Sequence, residues 1–294
     1  MATQTAKPII QASLLTRLNK RYGTLPYYVI ILIYALIAAV PILWMFLTSI
    51  RPQEDVYSIP LQYVPSQFLG LEQYFRVFED RPYFLYTWNS LIISGITTIL
   101  CLILGTPAGY GLARGGFRAA NYVLIGMLGF RLFPPIALLP SFYLVFYKLG
   151  LLDQLTALII ANTYFNLPIA IFLLRGFFRD IPVDLEEAAR VDGCTRMGAF
   201  YRVILKLAAP GIAAASIMIF LFTWNEFVFA ITLAGSSPES TVLAVGITHF
   251  IGDTLIAWPF ISAAGVVTGI PALIFVLFFQ KYIISGLVAG SVKE

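Results

Sequence analysis

One histidine and two cysteines are the whole stock of soft metal ligands in this 294-residue chain. His249 has no second ligand at metal spacing, and Cys101 and Cys194 fall in an apolar run and a charged segment. A disulfide framework and a metal centre are therefore not expected. The chain has no HExxH, no Ser/His/Asp set and no paired intramembrane carboxylates, so no catalytic residue is assigned. The glycine-rich run GTPAGYGLARGG does not fit GxxxxGK[ST] and opens no strand–helix unit, so no nucleotide or other cofactor is expected on this chain. Charge is scarce too. Charged residues make up 12% and apolar ones 59%, against about 25% and 45–50% in soluble domains. A net charge of +4 would weakly suggest nucleic acid in a soluble protein, but here no nucleic-acid partner is expected. What remains is a polytopic membrane protein whose surface faces lipid.

About 20 mostly apolar residues suffice to span a bilayer as helix. Six runs qualify, at about 27–49, 88–113, 121–146, 155–177, 209–233 and 259–282. The first follows Lys20 and Arg21 but is too long for a signal-peptide core, and no small-x-small cleavage site follows it. The third contains Arg131 and the pair Pro134-Pro135, which predicts a bend. Lys and Arg mark the cytoplasmic side. They cluster in the amino-terminal tail (Lys7, Arg17, Lys20, Arg21), at Arg114 and Arg118, and from Arg175 to Lys206. The stretch 234–258 holds none. The expected fold is an all-α integral membrane protein of six spans with both termini cytoplasmic. Its parts are a tail over 1–26, a membrane domain over 27–282 and a carboxyl tail over 283–294. Outer residues 50–87 and 234–258 are long enough to predict docking or gating.

The stretch 178–210 breaks the apolar pattern. Asp184 and Glu187 have capping-box spacing, Leu185 to Asp192 favours helix, and Gly193 suits a left-handed C′ position. A second short helix is expected from Thr195 to the Pro210-Gly211 break, with an apolar stripe of Met197, Phe200, Val203, Ile204 and Leu207. Ala188 and Ala189 offer a small, flat surface beside acids. Two readings fit this helix pair: insertion into a cleft on a partner protein, or an interfacial helix that closes the bundle.

Glu187-Ala188-Ala189, Asp192-Gly193, and Val203 through Leu205 and Leu207 to Pro210 resemble the EAA loop of ABC importer permeases. One departure is Lys206, where the family usually has proline. Phe222-Thr223-Trp224-Asn225-Glu226-Phe227 resembles the WNEF signature of sugar-importer permeases, and GLVAGSVKE at the carboxyl end resembles the tail of the maltose-type subunit. Asn89-Ser90, Phe133-Pro134-Pro135, residues 41–60 and Trp258 through Gln280 also look like this family. The resemblance implies a type I ABC importer permease for a sugar or related solute, forming half of the pathway. The implied partners are a second permease subunit, a cytoplasmic ATPase dimer that uses ATP and magnesium, and an external solute-binding protein. The site is a bacterial or archaeal plasma membrane. Glu187, Ala188, Ala189, Asp192 and Gly193 would form the coupling loop that docks on the ATPase.

Intramembrane polar groups are costly and default to function. Glu226 has three readings: binding sugar hydroxyls, pairing with Arg131, or locking the fifth span to a partner. Asn225, adjacent in a helix, faces elsewhere. Trp224, Asn162, Tyr164 and Asn166 complete the candidates for a pathway or gate, since sugar sites combine aromatic faces with amide and carboxylate groups. For Asn162, Tyr164 and Asn166, interhelical hydrogen bonding competes with this reading. The rival function is an ion-coupled secondary transporter, with Glu226 as its one acid.

Overall fold

The computed structural model describes residues 25–60, 62–116, 118–251 and 256–291, of which 280–291 as backbone alone. The basic amino-terminal residues through 24, and residues 292–294 of the carboxyl tail, lie outside the described residues. Every named element among the described residues is a helix, and the one bridge joins Ile251 to Ile256. Four rods are individually long and apolar enough to cross a membrane. They are α1 (Leu25–Ser49), α2 (Tyr83–Arg114), α5 (Leu155–Asp180) and α10 (Trp258–Ser291).

The remaining helices are shorter. α3 (Ala120–Arg131) and α4 (Pro135–Lys148) meet at 87°. α6 (Val183–Val191) precedes α7 (Arg196–Leu207), which meets α8 (Ala209–Trp224) at 71°. α9 (Val228–Leu233) follows. Counting each bent pair as one span gives six. Two of the expected spans, 121–146 and 209–233, are not single rods. The third turns because Pro134 takes an extended conformation (ψ 132°) and Pro135 opens a new helix, neither offering a backbone donor to continue the first. The fifth stops at Trp224 and restarts at Val228. Pro168, in contrast, sits within unbroken α5.

The central pair is α2 with α5. Small residues let their backbones approach, as expected where lipid removes the hydrophobic drive between helices. A Cβ added at Gly105 would lie 3.3 Å from the Ala170 Cβ, and one at Gly109 would lie 3.1 Å from the Leu174 Cβ. α8 packs against this pair where Cys101, Ala170 and Ile219 meet. α1 is peripheral: none of its most apolar window is buried within the chain. Its main neighbour is α10, where Met45 lies over Gly265.

Two knots order the end of the molecule opposite the basic segments. Arg51 is 1% exposed, with Nε donating to the Leu47 carbonyl at 3.3 Å and Nη1 to the Gln62 carbonyl at 3.0 Å. Asp55 accepts from the Ser66 amide and hydroxyl, both at 2.7 Å. Those bonds, aided by Arg51, hold its carboxyl below the usual range. This contribution to stability is complete at neutral pH and is lost as pH falls through the lowered value.

The second knot is Asp153. Its Oδ1 accepts from the Gly235 and Ser236 amides at 3.2 and 3.0 Å. Burial pushes this carboxyl up, but the amides of Ser236 and Gly235 outweigh it and the net direction is down. The loop so pinned turns inward. Asn89 Nδ2 donates to the Glu239 and Thr241 carbonyls at 3.0 and 2.8 Å, and Ser90 Oγ accepts from the Leu243 amide at 2.9 Å. Ser240 to Leu243 are buried, whereas Ser236, Pro238 and Glu239 stay exposed. Among the described residues, the stretch Ser240–Leu243 is therefore wedged into the bundle, while the tip around Pro238 stays exposed.

Candidate functional site

The charged stretch folds as two short helices. Pro182 caps α6, with no side-chain cap bond. The expected capping box between Asp184 and Glu187 is absent because the helix starts at Val183, which places both acids inside it. The exit is as expected. Gly193 takes φ +88°, its amide bonds the Arg190 carbonyl at 3.1 Å, and the Cys194 amide bonds the Ala189 carbonyl at 3.0 Å. That is a Schellman closure, which needs a left-handed residue. Thr195 Oγ1 then accepts from the Gly198 amide at 3.1 Å and starts α7. Gly193→Ala should cost about 1–2 kcal/mol from the left-handed backbone alone, read as faster amide exchange across α6.

α7 is not uniform. Phe200–Ile204 is a π-helical turn, which shifts the register of its faces. Phe200 and Ile204 are buried and Val203 half-buried, but Met197 and Leu207 are 57% and 48% exposed. The five-residue stripe is thus corrected to its middle three members. Lys206 sits exposed at the helix end, where the chain bends at Ala208 rather than at Lys206.

α6 presents two faces. Glu187, Ala188 and Asp192 are exposed, as are Val183, Leu185 and Val191. Ala189 is 7% exposed and turned inward, so the flat exposed surface is Ala188 without Ala189. Glu186, 6% exposed, joins it on the inner face. Its Oε1 accepts from the Tyr110 hydroxyl at 2.7 Å. Arg114 Nε lies 3.8 Å from Oε2, and Arg196 Nε 3.9 Å from Oε1. Arg196 Nη2 also donates to the Arg114 carbonyl at 2.8 Å, and Arg114 donates to the Ile181 carbonyl. A buried carboxylate on the short helix therefore meets the basic end of α2. Sequence reasoning missed Glu186, Tyr110 and Arg114. The signal was the i, i+3 pairing of Glu186 with Ala189, which sets them on one face and Glu187 on another.

The interior candidates divide into two groups. Arg131 Nη1 donates to the Phe165 carbonyl at 3.0 Å and to Asn166 Oδ1 at 3.3 Å. Its guanidinium lies over the Phe165 and Phe222 rings, 5.2 and 5.0 Å from their centroids. Asn166 Nδ2 passes the chain on to Thr223 Oγ1 at 3.3 Å. Arg131 and Tyr164, with Met127, Phe130, Phe165 and Pro168, line a cavity of about 320 Å³. Asn162, Trp224 and Glu226 meet elsewhere, around a gap of only about 10 Å³. Asn162 Nδ2 donates within its own helix, to the Leu158 carbonyl at 2.9 Å. Trp224 stacks on Phe220 with centroids 5.7 Å apart.

Glu226 does not pair with Arg131. Its two oxygens accept from the Phe229 and Ala230 amides at 2.7 and 3.1 Å, capping the first turn of α9. A carboxylate there satisfies orphan N–H groups and the positive helix end. Asn225, exposed, donates back to the Leu221 carbonyl at 2.8 Å and closes α8. The two adjacent residues thus end one helix and begin the next. Glu226→Ala should cost about 1–2 kcal/mol and reduce assembled complex and solute uptake in parallel, whereas Glu226→Gln should retain most of both. Uptake falling well below assembly in either variant would return Glu226 to the pathway.

No group of three or more His, Cys, Asp or Glu side chains able to hold a metal occurs among the described residues. Comparison with known proteins places these features in context. Residues 105–288 match the family model described as "Binding-protein-dependent transport system inner membrane component". The sulfoquinovosyl glycerol transport system permease protein SmoH of Agrobacterium fabrum is 36% identical, with 86% of this chain and 88% of that protein covered. The trehalose transport system permease protein SugB of Mycobacterium tuberculosis is also 36% identical, over 87% and 93%. Among solved structures, a bacterial ABC transporter involved in alginate import matches with TM-score 0.72 at 24% identity, over 90% of this chain and 98% of that one. At that identity the likeness speaks for the fold.

Proposed function

Because the chain belongs to the family of binding-protein-dependent transport system inner membrane components, we propose that its charged helix pair couples it to a separate ATPase. The chain is a multi-pass permease subunit and not an enzyme. Membership of this family removes the ion-coupled secondary transporter.

The carrying observation is the two-faced helix α6. Glu187, Ala188 and Asp192 project outward, while Glu186 and Ala189 bind the helix to the membrane bundle. Such a helix receives a push on one face and passes it to α2 through the other. The solute is a sugar or sugar derivative, a reading supported by relatives named for trehalose and sulfoquinovosyl glycerol. The cavity beside Arg131 and Tyr164 is where this subunit lines the path: aromatic walls and guanidinium donors suit a polyhydroxylated solute. A second permease supplies the other half, an ATPase dimer uses ATP and magnesium, and a solute-binding protein delivers from outside to the exposed tip at Ser236–Glu239. The basic ends of α2, α5 and α7 face the cytoplasm, with both termini on that side, in a bacterial or archaeal plasma membrane.

The test is purification from native membranes in mild detergent through an amino-terminal tag, followed by mass spectrometry. Recovery of an ATPase and a second permease is expected. Recovery of this chain alone, with transport intact after reconstitution, would overturn the coupling assignment.

A further inference from the structure

A polar cavity of about 230 Å³ lies where α2 and α5 end and α3 begins. Its charged lining is Arg118, Arg175 and Arg179, with Asn121 beside them and no carboxylate among the lining residues. Arg175 is committed to structure: Nε donates to the Leu112 carbonyl at 3.3 Å and Nη2 to Asn121 Oδ1 at 2.5 Å. Arg118 and Arg179 are exposed, and among the described residues neither has a hydrogen bond or an ion pair. Three guanidinium groups around one hollow, two of them unpartnered, repel one another unless an anion joins them.

The walls say which anion. On α5, Phe172, Arg175 and Arg179 follow at i, i+3 and i+7, so they form one stripe. On α3, Asn121 and Ile125 do the same at i, i+4. Phe172 and Ile125 are 46% and 66% exposed, and each lies about one turn along its helix from the basic hollow. Each stripe is polar at the mouth and apolar further in. A free phosphate would use only the mouth, whereas a phospholipid would use both parts.

We infer that this hollow binds the phosphate-bearing headgroup of an anionic lipid of the inner leaflet, with its acyl chains laid along Phe172 and Ile125. Guanidinium groups suit phosphate because each offers a planar pair of donors. The inference rests on the orientation proposed above, which places this end in the cytoplasmic leaflet. A basic pocket between spans on that side is a chemically sound headgroup site.

The purified complex in nanodiscs, doped with photoactivatable phosphatidylglycerol or phosphatidylcholine, tests this directly. Labelling of peptides from α3 and α5 should favour phosphatidylglycerol. Arg118→Gln with Arg179→Gln should lower that preference by roughly twenty-five-fold, since each cation near an anionic membrane surface carries a factor of about five. Equal labelling by the two lipids in the unaltered complex would overturn the inference without recourse to any variant. So would labelling abolished by excess sn-glycerol 3-phosphate, which would make a soluble phosphate the occupant. Crosslinks from the ATPase to Arg118 and Arg179 in place of lipid would overturn it as well. Failure of the importer reading would show separately, as loss of the ATPase from the same preparation.

Discussion

Glu187→Lys should yield a chain that inserts and assembles normally but imports less than a tenth of the wild-type solute. The argument begins with stability. Glu187 is exposed and bonds no other side chain among the described residues, so replacing it costs the fold within about 0.5 kcal/mol. The expected loss therefore comes from the surface it presents. Glu187 and Ala188 lie on the outward face of α6, between exposed Val183 and Val191. If this face docks on the ATPase as proposed above, reversing its charge places like charge against like, which costs several kcal/mol. Uptake of labelled solute, measured beside the yield of assembled complex, decides the matter. Normal solute-dependent growth of the variant would remove Glu187 from the dock.

Glu186→Ala, one residue away, fails for a different reason. Its carboxylate is buried, and removing it leaves the Tyr110 hydroxyl without its acceptor, at about 1–3 kcal/mol. Arg114, with a side chain 9% exposed, also loses its anion, and an uncompensated buried charge costs about 3–5 kcal/mol in the worst case. The expected result is a lower thermal midpoint and a loosened α6. Glu186→Gln separates packing from coupling, because its amide oxygen still accepts from Tyr110. On the coupling proposed above, that variant should still assemble with the ATPase, and the complex should keep its basal ATP hydrolysis while solute-stimulated hydrolysis falls several-fold. Unchanged stimulation in Glu186→Gln would make Glu186 a packing residue alone.

These two neighbours show how far the sequence could be read. The exposed member was legible because motif, position and charge pattern all bear on Glu187. The buried member was not, since its partners Tyr110 and Arg114 lie about seventy residues earlier and only the fold brings them together. The same holds inside the membrane. Glu226 stands out by its cost in lipid, which predicts function, whereas the structure gives it a local use. Its oxygens bind amides three and four residues ahead. No pattern of apolar residues announces such a break, because α8 and α9 are both apolar and the run from 209 to 233 is uninterrupted by charge except at Glu226 itself. Pro134-Pro135, in contrast, predicted its bend from covalent geometry alone.

The isolation of α1 has a consequence for how the protein is made. Its principal neighbour in the finished bundle is α10, which leaves the ribosome some 200 residues later. At ordinary rates of synthesis that interval is roughly 10–40 s. During it, α1 rests in lipid without its final mate, free to diffuse or to lean on another chain. Closure of the bundle is therefore a late act of translation, performed by the last helix upon the first.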